Sequence, residues 1–599
     1  MLRHLLLGSC LATVMNAASG ISPVEPLPHR VPAKMADALD PAEPTDVFVG
    51  GWLGARIDAN VTHRLAVVDT TPLLAGFQHR PGEHPWIGEH IGKWLHAATL
   101  AWAYTGDPAL RAKLDDNVRA LLATQEADGY LGTYAPDKRF GLYPDADWDV
   151  WVHKYDLIGL LTYYRYTGNE AALTASRRIG DLLIRTFPSK RSILAAGTHV
   201  GMAATSVLEP MVELYRCTGD ERYLQFADYL VRAYEEPGGP DLVRSLLDGH
   251  GVDHTANGKA YEMMSNLVGL CELARATGNP KYLEAVENGW GDIRARRLYL
   301  TGTASTHEHF GADHELPNES DADVGETCVS VTWLQLNLQL LRLTGKVDFA
   351  DEIERTEYNH LTAAQNPRGD DWCYFTPLQG KKPYDSGITC CHSSGPRGLA
   401  LAPTAAYLQS ADTLVVDTLE TSRARFKVNG AAVEIEQISD FPREGRSTLV
   451  VHSPGTVHFA LRIRVPTWAA PFRINGAEHA PGWAEIPAQD WPAGERIELS
   501  FNLAGHVVRG DYGNYGKDAL TWGPFVLAAD EAMNPKLGQL SALRVLSKAE
   551  IRPAGRDQGL RFTVPVLTVW EDTPKDLTLV PFADAGASGA GYRVWLRGM

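Results

Sequence analysis

A multidomain α+β chain, with an (α/α)6 helical barrel followed by antiparallel β-sandwich domains, is the fold this sequence predicts. Three observations predict it. A turn signature recurs five times in the first two-thirds, apolar residues between its copies keep helical spacing, and after residue 411 apolar and polar residues alternate. At 599 residues, the chain is long enough for several domains.

The signature reads Tyr104-Thr105-Gly106-Asp107, Tyr166-Thr167-Gly168-Asn169, Cys217-Thr218-Gly219-Asp220, Ala276-Thr277-Gly278-Asn279 and Leu343-Thr344-Gly345-Lys346, at intervals of 62, 51, 59 and 67 residues. Glycine can take the left-handed conformation that ends a helix, and the Asp or Asn after it can cap the next. Each copy therefore marks the turn of a helical hairpin, and stacked hairpins bury their apolar faces on one another. Between Val329 and Leu343, Val331, Leu334, Leu338 and Leu341 fall on one helical face, and Ile179, Leu182 and Leu183 do the same between Leu173 and Ile184. Five hairpins and a last helix near 398–407 approach twelve helices. An open solenoid is the competing arrangement.

The stretch from about Asp46 to Asp69 reads as extended. After residue 411, Val457, Phe459, Leu461, Ile463 and Val465 alternate with His458, Ala460, Arg462 and Arg464 as in a half-buried strand. Asn429-Gly430 and Asn475-Gly476 mark turns between strands. The expected units are an export signal over 1–19, an extended segment over 20–75, the barrel over 76–410, and β-sandwich modules over 411–535 and 536–599.

The formal net charge of −17 supplies no field to attract phosphate, which argues against nucleic acid and anionic membrane as partners. Arg3, the apolar run from Leu5 to Met15 and the small residues Ala17-Ala18-Ser19 predict secretion. Leu7-Gly8-Ser9-Cys10 loosely matches a lipoprotein box, the alternative in which Cys10 is lipidated. No later stretch is long and apolar enough for a membrane span.

Among the other cysteines, Cys217, Cys271 and Cys373 lie in apolar or aromatic runs and are expected to pack. Cys328, Cys390 and Cys391 differ, because Glu326-Thr327-Cys328 and Thr389-Cys390-Cys391-His392 together offer three thiolates and one carboxylate, a set that zinc accepts.

The segments Ala350-Asp351-Glu352-Ile353-Glu354-Arg355-Thr356-Glu357-Tyr358-Asn359, Phe375-Thr376-Pro377-Leu378 and Cys390-Cys391 add a further pattern. So do Gly129-Tyr130-Leu131-Gly132-Thr133-Tyr134, Trp522-Gly523-Pro524-Phe525-Val526-Leu527 and Leu579-Val580-Pro581-Phe582. Together they resemble glycoside hydrolase family 127, typified by β-L-arabinofuranosidases, over nearly the whole mature chain. The resemblance implies zinc held by Glu326, Cys328, Cys390 and Cys391, with Cys390 as nucleophile. A zinc-bound thiol stays ionised, and a thioglycosyl intermediate leads to net retention. The resemblance also implies an acid/base in Ser305-Thr306-His307-Glu308-His309, assigned to Glu308, with Glu315, Glu319, Asp321 and Asp323 as nearby alternatives.

The same resemblance implies sugar contacts at His153 and Tyr374. It departs at Ala203-Ala204-Thr205-Ser206, where the family's Gly-His-x-Glu segment is missing, and at Gly258-Lys259-Ala260, where a second pocket His is absent. In their place Glu89, His90 and Trp94 are expected to line the barrel mouth. The expected partner is an oligosaccharide or polysaccharide; linkage, ring form and oligomeric state are not fixed by the sequence. A polysaccharide lyase using Tyr374 with His153, and a glycan-binding protein with purely structural zinc, are the rival readings.

Overall fold

The computed structural model describes residues 24–141, 147–546, 549–555, 559–568, 571 and 573–598. The expected export signal and Cys10 lie outside the described residues.

Apolar spacing and capped glycine turns build a barrel of paired helices. Its inner helices are α2 (Glu89–Thr105), α4 (Asp149–Thr167), α6 (Leu208–Thr218), α8 (Ala260–Thr277), α10 (Thr327–Thr344) and α12 (Cys390–Leu401). Outside them run α1 (Gly51–Ala59), α3 (Pro108–Leu122), α5 (Glu170–Thr186), α7 (Glu221–Ala233), α9 (Pro280–Asp292) and α11 (Val347–Arg355). Each inner helix packs on the next, and α12 returns to pack on α2, so the ring closes and the open solenoid is excluded. Inner helices such as α10 are buried on every side rather than along one stripe.

The five signature glycines all have φ between 67° and 73° and follow the last residue of an inner helix. Asp107, Asn169, Asp220 and Asn279 then cap the following helices through their side chains. A segment ahead of the barrel uses the same helix ends. Leu27, Val31, Lys34 and Ala38 donate backbone N–H groups to the carbonyls of Arg165, Arg216, Arg275 and Arg342, each three residues before a signature glycine. These carbonyls would otherwise be orphaned at helix C-termini.

The 46–69 stretch corrects one expectation. Only Val47–Val49 is a strand; the chain is helical from Gly51 and continues in a wider turn to Leu65, with Leu53, Ile57, Val61 and Leu65 buried at steps of four. α1 supplies the outer partner of α12. The last helix also starts earlier than expected, at Cys390, and Tyr407 already begins a strand.

Beyond the barrel, a five-stranded and a seven-stranded sheet share one core. Phe459, Leu461 and Ile463 from one sheet meet Val433, Ile435, Leu449 and Val451 from the other. Asp40–Pro41 and Val47–Val49 add an edge strand to each. A third sheet begins at Gly505 and runs to Arg597, taking in Gln379–Gly380 from the barrel. Strands on both sides of residue 535 belong to it, so the expected division there is corrected to about residue 504. Asn534 sits in a turn inside this unit, its amide donating to the Asp530 and Thr578 carbonyls.

Candidate active site

Two inner helices begin with thiols. Cys328 is the second residue of α10, with Glu326 just before the helix, and Cys390 and Cys391 open the neighbouring α12, capped by Thr389. Because α10 and α12 pack side by side, their first turns converge. The Cys391 and Cys328 sulfurs lie 3.5 Å apart and the Cys390 and Cys391 sulfurs 3.9 Å. All four ligand-capable atoms, including a Glu326 oxygen, fall within 4.8 Å of one another, and none of the cysteines forms a disulfide.

This donor set fits a single cation. Zinc–thiolate bonds of about 2.3 Å in tetrahedral array separate sulfurs by about 3.8 Å. Glu326 is buried and its Oε2 has no hydrogen-bond partner. Burial, with the nearby Cys390 charge, pushes its carboxyl well above the ordinary range, so a buried acid stands without the charge it needs. Cys390 differs from Cys328 and Cys391 in being only half-buried. Hydrogen bonds with Cys328 and Cys391 hold its thiol well below the usual value, aided by Lys93 and Tyr374 and opposed by burial.

The turn Thr306–His309 presents Glu308. Thr306 and His309 exchange backbone hydrogen bonds, and the two central residues, His307 and Glu308, have φ of 46° and 63°. That is a tight two-residue hairpin built from side chains that favour it little, and strain of this kind collects at functional sites. The Tyr374 hydroxyl donates to Glu308 Oε1 at 2.6 Å and lies 3.4 Å from Cys390 Sγ. Lys259, standing where the family's second pocket His is absent, forms an ion pair with the other Glu308 oxygen. The alternatives lie elsewhere: Glu319 engages Gln379, Asp323 engages His307, and Glu315 and Asp321 are exposed.

The remaining expected residues separate. His153 is corrected to a scaffold residue. It is fully buried, its Nδ1 donates to the Asp149 carbonyl at 2.7 Å, and its Nε2 accepts from the Leu131 N–H at 3.3 Å, which leaves no ring nitrogen for a sugar. The lyase reading loses His153 for the same reason. His90 and Trp94 line a cavity of about 260 Å³ with Thr389, His392 and Ser393. Glu89 is buried beneath the site, accepting from the Trp151 indole and pairing with Lys93 at 3.2 Å.

Lys93 and Lys259 were not foreseen as site residues. Lys93 is fully buried, lies 4.6 Å and 5.3 Å from the Tyr155 and Tyr261 ring centroids, and donates to the Cys390 carbonyl at 3.4 Å. The signal available in the sequence was the Glu89/Lys93 pair, four residues apart on a helix with no other Asp, Glu, Lys or Arg.

The profile of the β-L-arabinofuranosidase GH127 catalytic domain matches residues 56–403, and that of the GH127 middle domain matches 413–503. The chain belongs to glycoside hydrolase family 127. It is a glycosidase, and its substrates are glycans. A non-reducing end β-L-arabinofuranosidase from Bifidobacterium longum subsp. longum is 27% identical over 515 residues, 74% of this chain and 75% of that one. A solved GH127 β-arabinofuranosidase superposes with a TM-score of 0.82 at 21% identity, covering 94% of this chain and 99% of the other. A GH127 β-L-arabinofuranosidase from Geobacillus stearothermophilus T6 gives 0.78 at 21% identity, covering 92% and 100%. These two structures establish the shared fold. Among the described residues of this family member, no helix is long and apolar enough to cross a membrane.

Proposed function

We propose that the chain is an exported, zinc-dependent, retaining glycosidase that releases β-L-arabinofuranosyl or related units, with Cys390 as nucleophile and Glu308 as acid/base. The observation that carries this reading is the Tyr374 hydroxyl shared between Cys390 and Glu308. The sulfur and the carboxylate lie no farther apart than those two contacts laid end to end, about 6 Å. Retaining pairs stand about 5–5.5 Å apart, and inverting pairs leave room for a water at about 6.5–9.5 Å.

In the first step Cys390 Sγ attacks C1 of the glycone, the C1–O bond breaks, and Glu308 gives its proton to the departing oxygen. In the second, Glu308 takes a proton from water as that oxygen attacks C1, and the C1–S bond breaks. Two inversions give net retention. Tyr374 and Lys259 meet the two Glu308 oxygens and fix its direction; the ion pair with Lys259 suits the ionised form that acts as base in the second step, and opens when Glu308 is protonated for the first. Glu326, Cys328, Cys390 and Cys391 would hold the zinc, which when bound keeps the thiols ionised and offsets their mutual repulsion. Export rests on the apolar N-terminal run and the small residues that follow it.

The test is incubation with a panel of aryl β-L-arabinofuranosides and plant glycan fragments, followed by mass spectrometry of the peptide containing Cys390. Sugar release with an adduct on Cys390 is expected. An adduct on a carboxylate, or no release from any furanoside, overturns the assignment.

A further inference from the structure

Around the barrel mouth, side chains from four separate segments form one aromatic arc. His84 lies 4.6 Å from Trp86 between ring centroids, Trp86 6.2 Å from Trp148, Trp148 5.7 Å from His199, and His199 6.5 Å from His309. Trp148 also packs against the barrel core, edge-on to Trp151 at 5.6 Å between centroids, but none of the five is fully buried. Trp86 is 39% exposed, and the other four are partly open to solvent. An indole left in water at a cleft forgoes burial that the fold could have supplied.

Two buried polar side chains beside the arc each keep one atom without a hydrogen-bond partner. His84 touches His90, which is 1% exposed and has no hydrogen-bond partner at Nε2. One ring short of the other end, His199 Nε2 lies 4.0 Å from Glu262, which is 2% exposed and has no hydrogen-bond partner at Oε2. Buried polar atoms are normally satisfied, so the two point to a ligand that brings its own donors and acceptors. Flat aromatic faces flanked by unsatisfied hydrogen-bonding atoms match a sugar ring, which offers C–H faces and peripheral hydroxyls. Glu262, with one oxygen unpaired beside His199, disfavours an anionic sugar.

We propose that His84, Trp86, Trp148, His199 and His309 form a leaving-group subsite for a neutral glycosyl unit. The arc ends beside Glu308, so a sugar resting on it presents its linking oxygen to the residue assigned as proton donor; the placement on the leaving-group side rests on that assignment. Substrates would then be chains in which the released unit is joined to another sugar, and not to a small alcohol alone.

Calorimetric titration with arabinotriose and with free arabinose tests this. The trisaccharide should bind about tenfold more tightly than the monosaccharide, the equivalent of about 1.4 kcal/mol. Trp86→Ala and His199→Ala should each remove most of that advantage while circular dichroism and unfolding temperature stay unchanged. Tyr515→Ala, which alters a side chain 86% exposed on the third sheet's unit, should keep it. Equal affinity for the two sugars, or an advantage that survives in both arc variants, overturns the proposal. Product analysis of the titrated sample shows whether the trisaccharide stayed intact, so binding and cleavage are read separately. A protein that shows the advantage yet cleaves no furanoside would lose the hydrolytic assignment and keep the subsite.

Discussion

Lys93 Nζ lies 3.4 Å from the carbonyl oxygen of Cys390 and 3.2 Å from the Glu89 carboxylate, so one buried cation joins the start of α12 to the start of α2. Burial opposes its charge, but Glu89 and the thiols of Cys328 and Cys390 keep it protonated. Breaking such a pair from one side leaves an uncompensated buried charge. Lys93→Met should therefore cost about 3–5 kcal/mol of stability. Replacing both partners, in Lys93→Met/Glu89→Gln, should recover most of that loss while the enzyme stays impaired, because the cation beside Cys390 is still gone. Chemical denaturation of the single and double variants makes the comparison; equal stability in the two would show that Glu89 and Lys93 are not energetically paired.

Tyr374 is the link between nucleophile and acid/base. Tyr374→Phe keeps the ring on Phe375, 4.6 Å away between centroids, and removes only the hydroxyl. Losing one hydrogen bond to a carboxylate should cost about 1.5–3 kcal/mol of stability. Glu308 would swing more freely and Cys390 would lose a partner, so kcat on an aryl furanoside should fall about a hundredfold with little change in KM. A kcat within about twofold of the parent would remove Tyr374 from the machinery.

The sequence carried the helical hairpins well because a hairpin is a local device. Gly106 and Asp107 act within one turn of each other, and the same holds at Gly168, Gly219 and Gly278. The strand Val457–Val465 was legible for the same reason, since a two-residue alternation is written in the strand itself. The family motifs brought Glu326, Cys328, Cys390 and Cys391 together in advance, and the structure joins them because their helices are neighbours. What escaped was set by distant partners. Lys93 meets Cys390 across 297 residues, and Lys259 meets Glu308 across 49. His153 was misassigned because burial by Tyr130 and Phe140 comes from packing and leaves no mark at position 153. The first helix was read as extended because its start is set by a distant partner: Gly51, at φ 66°, admits the Glu420 carboxylate to the Trp52 and Leu53 N–H groups.

Metal removal should act on stability as well as on turnover. A ligand that binds only the folded chain stabilises it, so protein stripped with a chelator should unfold at a lower temperature and recover on adding one equivalent of zinc. Alkylation should discriminate among the thiols of the stripped protein. Cys390, half-buried, should react first, Cys328 and Cys391 more slowly, and Cys217, Cys271 and Cys373, all buried away from the cluster, only on unfolding. Peptide mapping gives the order. An unfolding temperature indifferent to chelator and zinc would exclude a resident cation at these four residues.

His96 gives a pH dependence that the metal cluster does not enter. Its imidazole is buried in α2, and burial, with the Arg397 guanidinium, pushes its pKa down to about 3. In the unfolded chain the ordinary value is about 6.5. Between these values the unfolded state holds a proton that the folded state refuses, so this residue's contribution is fully present above about pH 6.5 and is lost as pH falls toward 3. From pH 7.5 to 4.5 the loss amounts to about 2–3 kcal/mol, on the order of 1.36 kcal/mol for each pH unit below 6.5. His96→Leu has no proton to gain. Whatever its stability relative to the parent at pH 7.5, that difference should move in the variant's favour by this amount at pH 4.5. Other titrating groups are common to both proteins and cancel in the comparison, so a difference that stays flat across this range would mean that His96 takes up its proton as readily in the folded barrel as in the unfolded chain.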